Sequence, residues 1–190
     1  MSYVEVYKTK RQDIFRWVDE ASVVYRISLA LLFACLTGAG AMLRFYVPFT
    51  PVPVTLQVLF VLLSGAVLGK YYGGLSQALY IGLGFIGIPW FTTSAALFGI
   101  TGGYIFGFVF ASAAVGWISE KTFVRKVPYS MVPMLVGLGI IYACGALQLG
   151  IMMELSLHQT LLIGVVPFIA VDLIKVFVAS LAGSLILPEK

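Results

Sequence analysis

Residues 161–187 read LLIGVVPFIAVDLIKVFVASLAGSLIL, a stretch in which Asp172 and Lys175 are the only charged residues. The stretch is long enough to cross a bilayer as a helix, which takes about 20 residues. A charge at membrane depth costs about 2.5–3.5 kcal/mol on insertion scales, so a pair persists only where protein or ligand groups answer it. Because the two residues are three positions apart, they share one helix face. The pair therefore indicates either a structural ion pair between helices or the polar part of a ligand site.

The composition places the chain among integral membrane proteins. Of its 190 residues, 61% are hydrophobic and 11% are charged, and the mean hydropathy is +1.02, which excludes a soluble domain. Six apolar stretches can span a bilayer as helices: Tyr25–Tyr46, Val54–Gly69, Gly73–Gly87, Gly102–Ser119, Met131–Met153 and Leu161–Leu187. We predict an all-α membrane protein with a six-transmembrane-helix bundle at 23–190, preceded by a cytosolic or interfacial segment at 1–22. Pro167 predicts a break or kink in the last stretch, just ahead of Asp172.

Lysine and arginine fall on alternate loops of this predicted bundle. Ten of the twelve precede or open the first stretch or follow the second, fourth and sixth: Lys8, Lys10, Arg11, Arg16, Arg26, Lys70, Lys121, Arg125, Lys126 and Lys190. The other loops, at about 47–53, 88–101 and 154–160, carry none. Cytoplasmic loops are the ones enriched in Lys and Arg, so both termini are predicted to be cytoplasmic. This topology explains the net charge of +4 without a nucleic-acid partner.

Two loops on the predicted outer side are unusually apolar. Residues 48–57 read PFTPVPVTLQ and residues 88–104 read IPWFTTSAALFGITGGY, with prolines, hydroxyls and aromatics but no charge. Such loops are either re-entrant caps buried in protein or a lid over a ligand cavity. The second interpretation brings both loops and the Asp172–Lys175 pair to one site.

Five stretches, in order along the chain, are similar to the motifs of one known family. They are PFTPVPVTLQ, VLLSGAVLG at 61–69, SQALYIGLGFIGIPWF at 76–91, TGGYIFGF at 101–108 and VDLIKV at 171–176. Together they resemble the BioY family, the biotin-specific substrate-capture (S) components of energy-coupling factor (ECF) transporters. The resemblance implies a six-helix bundle in a prokaryotic plasma membrane that binds biotin, with a coupling protein and two ATPase subunits as partners. It implies no cofactor in the chain itself, because the partner subunits use the ATP.

The chemical groups of biotin match the residue types of the candidate site. A carboxylate accepts hydrogen bonds from a ureido ring and an ammonium answers a carboxylate, so we assign Asp172 to the ureido end and Lys175 to the carboxylate. Gln77 and Tyr80 are either polar partners of the ligand or members of an interhelical hydrogen bond. For Arg44, snorkelling to the interface is favoured over contact with an anionic ligand. Candidates for lid and cavity wall, with an interfacial-belt role as the alternative for the aromatics, are Thr50, Trp90, Phe91 and Tyr104.

A stripe of small residues, Ala30, Ala34 and Gly38, recurs every four positions in the first stretch. Such a stripe lets another helix approach closely, either inside the bundle or from a partner. S components of this class dock on the coupling protein through an AxxxA in the first helix. The resemblance therefore implies that the stripe is the docking face.

The sequence indicates neither catalysis nor a metal site. Residues 82–87 satisfy GxGxxG but lie in an apolar stretch without a preceding strand, and residues 65–71 fall one residue short of a Walker A motif. His158 is the only histidine, which argues against a histidine-based metal cluster. We expect a binding and transport protein that is not an enzyme. The alternative function is a self-sufficient secondary carrier for biotin or another small anionic vitamin, which would need ion-coupling residues beyond Asp172 and Lys175.

Overall fold

The computed structural model describes residues 21–90, 97–121 and 127–186. These residues form six helices and one pair of short strands: α1 Val23–Met42, β1 Arg44–Phe45, β2 Val54–Thr55, α2 Gln57–Ile86, α3 Gly102–Lys121, α4 Val127–Met152, α5 Leu157–Gly164 and α6 Val166–Ile186. Every helix except α5 is long and apolar enough to cross a membrane. The predicted class, an all-α membrane protein, is confirmed. The segment predicted at 1–22 lies almost wholly outside the described residues.

Helix α2 reverses direction at Gly69, where φ is +76° and ψ is −176°. A straight helix would separate Gln57 from Tyr80 by about 35 Å at 1.5 Å per residue. Instead, Gln57 Nε2 donates a hydrogen bond to Tyr80 Oη over 2.7 Å. The two arms, 57–68 and 70–86, therefore lie antiparallel. They correspond to the second and third apolar stretches of the sequence, which were predicted as separate helices.

The turn of α2 is held by the end of α3. Glu120 Oε1 accepts a hydrogen bond from the backbone N–H of Lys70 over 2.9 Å, and Glu120 Oε2 lies 3.6 Å from Lys70 Nζ. The first N–H groups of a helix have no partner within the helix, so a carboxylate at this position caps the second arm. The reversal at Gly69 is thus tied to α3.

A small antiparallel hairpin closes the end of α1. Arg44 pairs with Thr55 and Phe45 with Val54. Between the strands, the Thr50 hydroxyl accepts a hydrogen bond from the backbone N–H of Val52 over 3.1 Å and so stabilises the turn. The hairpin fixes the backbone of Arg44 beside the bundle.

The last apolar stretch, predicted as one helix over Leu161–Leu187, is two helices in the structure. Helix α5 begins with a capping box in which Ser156 and Gln159 satisfy each other's backbone N–H groups. It ends at Gly164, and α6 begins at Val166. The ring of Pro167 would clash with the preceding turn of a continuous helix, so the break predicted at this proline is confirmed. The face that α6 buries carries Phe168, Asp172, Lys175, Val176, Ala179, Ser180 and Gly183.

The small-residue stripe of α1 faces the inside of the bundle. Ala30 and Ala34 have no exposed surface, and a side chain on Gly38 would collide with the indole ring of Trp90. The prediction that this stripe is a docking face is therefore corrected, because in this structure a partner cannot reach it. It is an internal contact, the alternative that the pattern left open.

The conformation of Gly69 yields a stability prediction. Its φ/ψ combination is essentially restricted to glycine, so Gly69→Ala should lower the free energy of unfolding by about 1–3 kcal/mol. Gly82→Ala is the matched control, because it lies in the same helix with open space around the new methyl group. Thermal unfolding in detergent measures both. Equal midpoints for the two variants would contradict the reversal at Gly69.

Candidate ligand-binding site

A cavity lies where α1, the β hairpin, α2, α3, α4 and α6 meet. Its empty space, with the open mouth included, is about 760 Å³. The lining residues are Ala41, Arg44, Val52, Pro53, Thr55, Gln57, Val58, Tyr80, Trp90, Thr101, Tyr104, Ile105, Phe108, Ile141, Tyr142, Phe168, Asp172 and Lys175. The structure thus brings together five of the predicted site residues from α2, the following loop, α3 and α6.

Asp172 and Lys175 form the charged centre of the cavity. Their residues are only 3% and 5% exposed, and Lys175 Nζ donates to Asp172 Oδ1 over 2.6 Å. The second carboxylate oxygen, Oδ2, accepts a hydrogen bond from the hydroxyl of Tyr142 over 2.8 Å. A buried charge is tolerated only when it is paired and hydrogen-bonded, and this trio meets both conditions.

Tyr142 was not among the residues predicted from the sequence. It is half-buried on α4 and comes from a different helix than the ion pair. Its one local signal is a hydroxyl in the middle of an apolar stretch. That signal cannot say whether the side chain faces lipid, another helix or a cavity.

Arg44 lines the cavity and does not simply extend towards the interface. Its Nη2 donates to the backbone carbonyl of Trp90 over 3.3 Å, and its Nε donates to the carbonyl of Ala41 over 3.1 Å. The hairpin and the Trp90 backbone together turn the guanidinium back onto the protein. The snorkelling interpretation is therefore replaced by a cavity position.

Aromatic side chains form the apolar wall. Tyr80 and Trp90 stack with ring centroids 5.5 Å apart and planes inclined by 19°. The ring centroid of Phe108 lies 6.4 Å from that of Tyr80. The stacked pair closes one side of the cavity, because Trp90 also covers Gly38 of α1. Flat apolar surfaces of this kind suit rings and alkyl chains of a ligand.

Tyr104 contributes its ring to the cavity but uses its hydroxyl elsewhere. The hydroxyl donates to the backbone carbonyl of Gly164 over 2.7 Å. Gly164 is the last residue of α5, where carbonyls lack helical partners. Tyr104 therefore holds the α5–α6 break in place, which positions the first turns of α6 and Asp172 with them.

Three of the predicted site residues do not line the cavity or cannot be placed. Gln77 is fully buried, and its Nε2 donates to Ser64 and Ser76 over 3.0 Å each, so the interhelical alternative describes it. Thr50 uses its hydroxyl in the hairpin turn. Phe91 lies outside the described residues.

The charges that line the cavity are unbalanced in its described part. Arg44 and Lys175 are cations and Asp172 is the only anion, which leaves an excess of one positive charge. Within residues 21–90, 97–121 and 127–186, no group of His, Cys, Asp and Glu could hold a metal ion. The arrangement therefore suits an organic ligand with one negative charge, a polar ring and an apolar middle.

Comparison with known proteins agrees with this arrangement. The sequence pattern of the BioY family matches residues 10–189. The chain belongs to the BioY family. The resemblance stated from the five motifs is thereby confirmed.

Individual members of the BioY family are also similar in sequence to this chain. The chain is 40% identical over 154 residues to the biotin transporter BioY of Thermotoga maritima, covering 79% of this chain and 88% of that protein. It is 39% identical over 153 residues to the probable biotin transporter BioY of Pyrococcus horikoshii, covering 78% and 88%. These relatives are transporters and not enzymes, as expected for this chain.

A crystal structure with the same fold is known. It is the S-component for biotin from an ECF-type ABC transporter, and it matches with a TM-score of 0.78 at 24% identity over 85% of this chain and 89% of that one. The match shows that the BioY chain described here has the fold of that S-component.

The role of the Tyr104 hydroxyl can be tested separately from ligand binding. Tyr104→Phe leaves the Gly164 carbonyl without its buried donor and should destabilise the protein by about 1–3 kcal/mol. Tyr129→Phe, on the exposed side of α4, should change stability by less than about 0.5 kcal/mol. Thermal unfolding of both variants is the measurement. An unchanged midpoint for Tyr104→Phe would remove the hydroxyl from the set of contacts that hold the break.

Proposed function

We propose that the protein captures biotin in this cavity and acts as the substrate-specificity component of an ATP-driven ECF importer. Membership of the BioY family and the names of its relatives support the ligand. The observation that carries the proposal is the placement of Arg44 and the Asp172–Lys175 pair around one aromatic cavity. Biotin has a ureido ring, an apolar thiophane ring and alkyl chain, and a single carboxylate, and each part has a counterpart there.

The ion pair favours a revised assignment of the two cations. Lys175 was expected to meet the ligand carboxylate, but it already pairs with Asp172 over 2.6 Å. An acceptor and a donor side by side suit the N–H and carbonyl of a ureido ring. Arg44 is then the cation that answers the carboxylate, and its guanidinium can do so through two parallel hydrogen bonds. A bound monoanion cancels the excess positive charge of the cavity.

The proposed topology has six membrane crossings with both termini in the cytoplasm. The two arms of α2 supply two of the crossings. The end of the bundle at the Gly69 turn also holds Glu120 of α3 and Arg26 of α1, whose guanidinium lies 5.8 Å from the Tyr72 ring centroid. Arg26, Lys70 at the turn and Lys121 next to Glu120 are basic residues from three segments at this end, which the positive-inside rule assigns to the cytoplasm. A coupling protein and two ATPase subunits are the proposed partners on that side, and lipid surrounds the apolar helices.

The self-sufficient carrier is not favoured. Secondary transport requires residues that bind and release a coupling ion near the substrate. Inside the described spans, away from the ends and the Gly69 turn, Asp172 and Lys175 are the only charged side chains. Both are already committed to the proposed ligand site, so no separate coupling site remains among these residues.

The proposed function predicts two linked measurements. In calorimetry the purified protein should bind one molecule of biotin per chain. Membranes that contain it should accumulate labelled biotin in an ATP-dependent manner only when the coupling protein and ATPases are also present. Binding of another vitamin but not biotin would contradict the ligand. Uptake in membranes without any ATPase partner would instead favour the carrier.

The carboxylate assignment has its own test. Arg44→Gln should weaken biotin binding by roughly 10–100-fold, because a charge-assisted hydrogen bond is lost. The same variant should bind biotin methyl ester, which lacks the anion, about as well as the wild type does. Arg26→Gln, at the opposite end of α1, is the matched control and should preserve the preference for the acid over the ester. A preserved preference in Arg44→Gln would assign the carboxylate to another group.

A further inference from the structure

Tyr142 lies where it can contact the ligand directly while it is hydrogen-bonded to Asp172. We propose that its phenol oxygen accepts a hydrogen bond from one ureido N–H of the ligand while its own O–H continues to donate to Asp172. This inference rests on the proposed capture of biotin and adds a residue that determines specificity for cyclic ureas with two N–H groups. It is carried by the 2.8 Å contact from Tyr142 to Asp172 Oδ2 and by the position of both residues in the cavity lining.

The direction of the Tyr142–Asp172 hydrogen bond follows from charge. An ionised carboxylate can only accept, and the 2.6 Å contact with Lys175 keeps Asp172 paired with a cation. The phenol O–H of Tyr142 is therefore the donor in its hydrogen bond to Asp172. What the phenol offers to the cavity is the remaining lone pair of its oxygen, which is an acceptor.

The three side chains together form a pattern of donors and acceptors. Asp172 has about four acceptor sites on its two oxygens, of which the protein contacts use two, and Lys175 has two N–H groups left after its bond to Asp172. With the Tyr142 oxygen, the site presents two acceptors and a donor. A cyclic urea presents the complement, two N–H groups and one carbonyl. Such a site rejects a ligand that lacks one N–H, because a buried polar group is then left unpaired.

The other two cavity tyrosines have different hydrogen bonds. Tyr80 Oη accepts from Gln57 Nε2 over 2.7 Å, and the Tyr104 hydroxyl donates to the Gly164 carbonyl. Neither contact involves Asp172 or Lys175. The half-buried Tyr142 is the tyrosine that joins the ion pair to the cavity space.

A cycle of protein and ligand changes tests the proposal. Calorimetry would compare biotin with its two N-methyl isomers, each of which lacks one ureido N–H, on the wild type and on Tyr142→Phe. For one isomer, methylation should cost roughly tenfold or more in the wild type and much less in Tyr142→Phe. Tyr129→Phe, on the exposed side of the same helix, is the matched control and should keep the wild-type ratio.

The outcomes separate a ligand contact from a purely structural role. If Tyr142→Phe weakens biotin and both isomers by the same factor, the tyrosine only positions Asp172 and the proposal is overturned. Unchanged affinities also overturn it. Failure of the wild type to bind biotin would instead overturn the proposed function and this inference with it.

A second variant covers the case in which Tyr142→Phe does not fold. Replacing Tyr142 by 3-fluorotyrosine keeps the ring and hydroxyl but makes the oxygen a poorer acceptor. Biotin binding should weaken by a few-fold, while binding of the sensitive N-methyl isomer should not change. An equal effect on both ligands would overturn the proposal.

Discussion

The contact between Lys175 Nζ and Asp172 Oδ1 keeps two charges inside an apolar helix, and the cavity is built around it. Neither charge could remain alone there, because a buried charge without a partner is strongly destabilising. Together they form a neutral pair that still has unused donor and acceptor capacity. Tyr142 completes the pair from α4, so α4 and α6 are joined at the point where a ligand would bind.

The backbone irregularities of the chain position the groups around this pair. The reversal at Gly69 brings Gln57 of the first α2 arm to Tyr80 of the second, at the cavity wall. The break between α5 and α6 sets the start of α6, and Tyr104 ties that break to α3. In a membrane, irregular backbone is tolerated where protein groups satisfy it. Glu120 caps the second arm after the Gly69 turn, and Tyr104 of the cavity wall donates to the Gly164 carbonyl at the α5–α6 break.

The charges that line the cavity favour one class of ligand. The neutral pair leaves Arg44 as the uncompensated cation of the described lining, held by the carbonyls of Trp90 and Ala41. These carbonyls answer the guanidinium only partly, since they carry no net charge. A ligand with one carboxylate supplies the missing charge, whereas a neutral or cationic one does not. We therefore expect selectivity among small molecules to depend on charge as well as on shape.

Hydropathy and proline spacing alone determined the membrane class, the apolar stretches, the break at Pro167 and the presence of two charges, Asp172 and Lys175, within the last stretch, because these depend on local composition. The five motifs were also sufficient to recognise the BioY family from the sequence. Only the tertiary structure decided which faces turn inward: it placed Arg44 and Tyr142 at the cavity, Gln77 between helices, and Ala30 and Ala34 inside the bundle. The reason is that lipid is as apolar as the protein interior, so a uniformly apolar helix carries no hydrophobic signal that distinguishes its two sides.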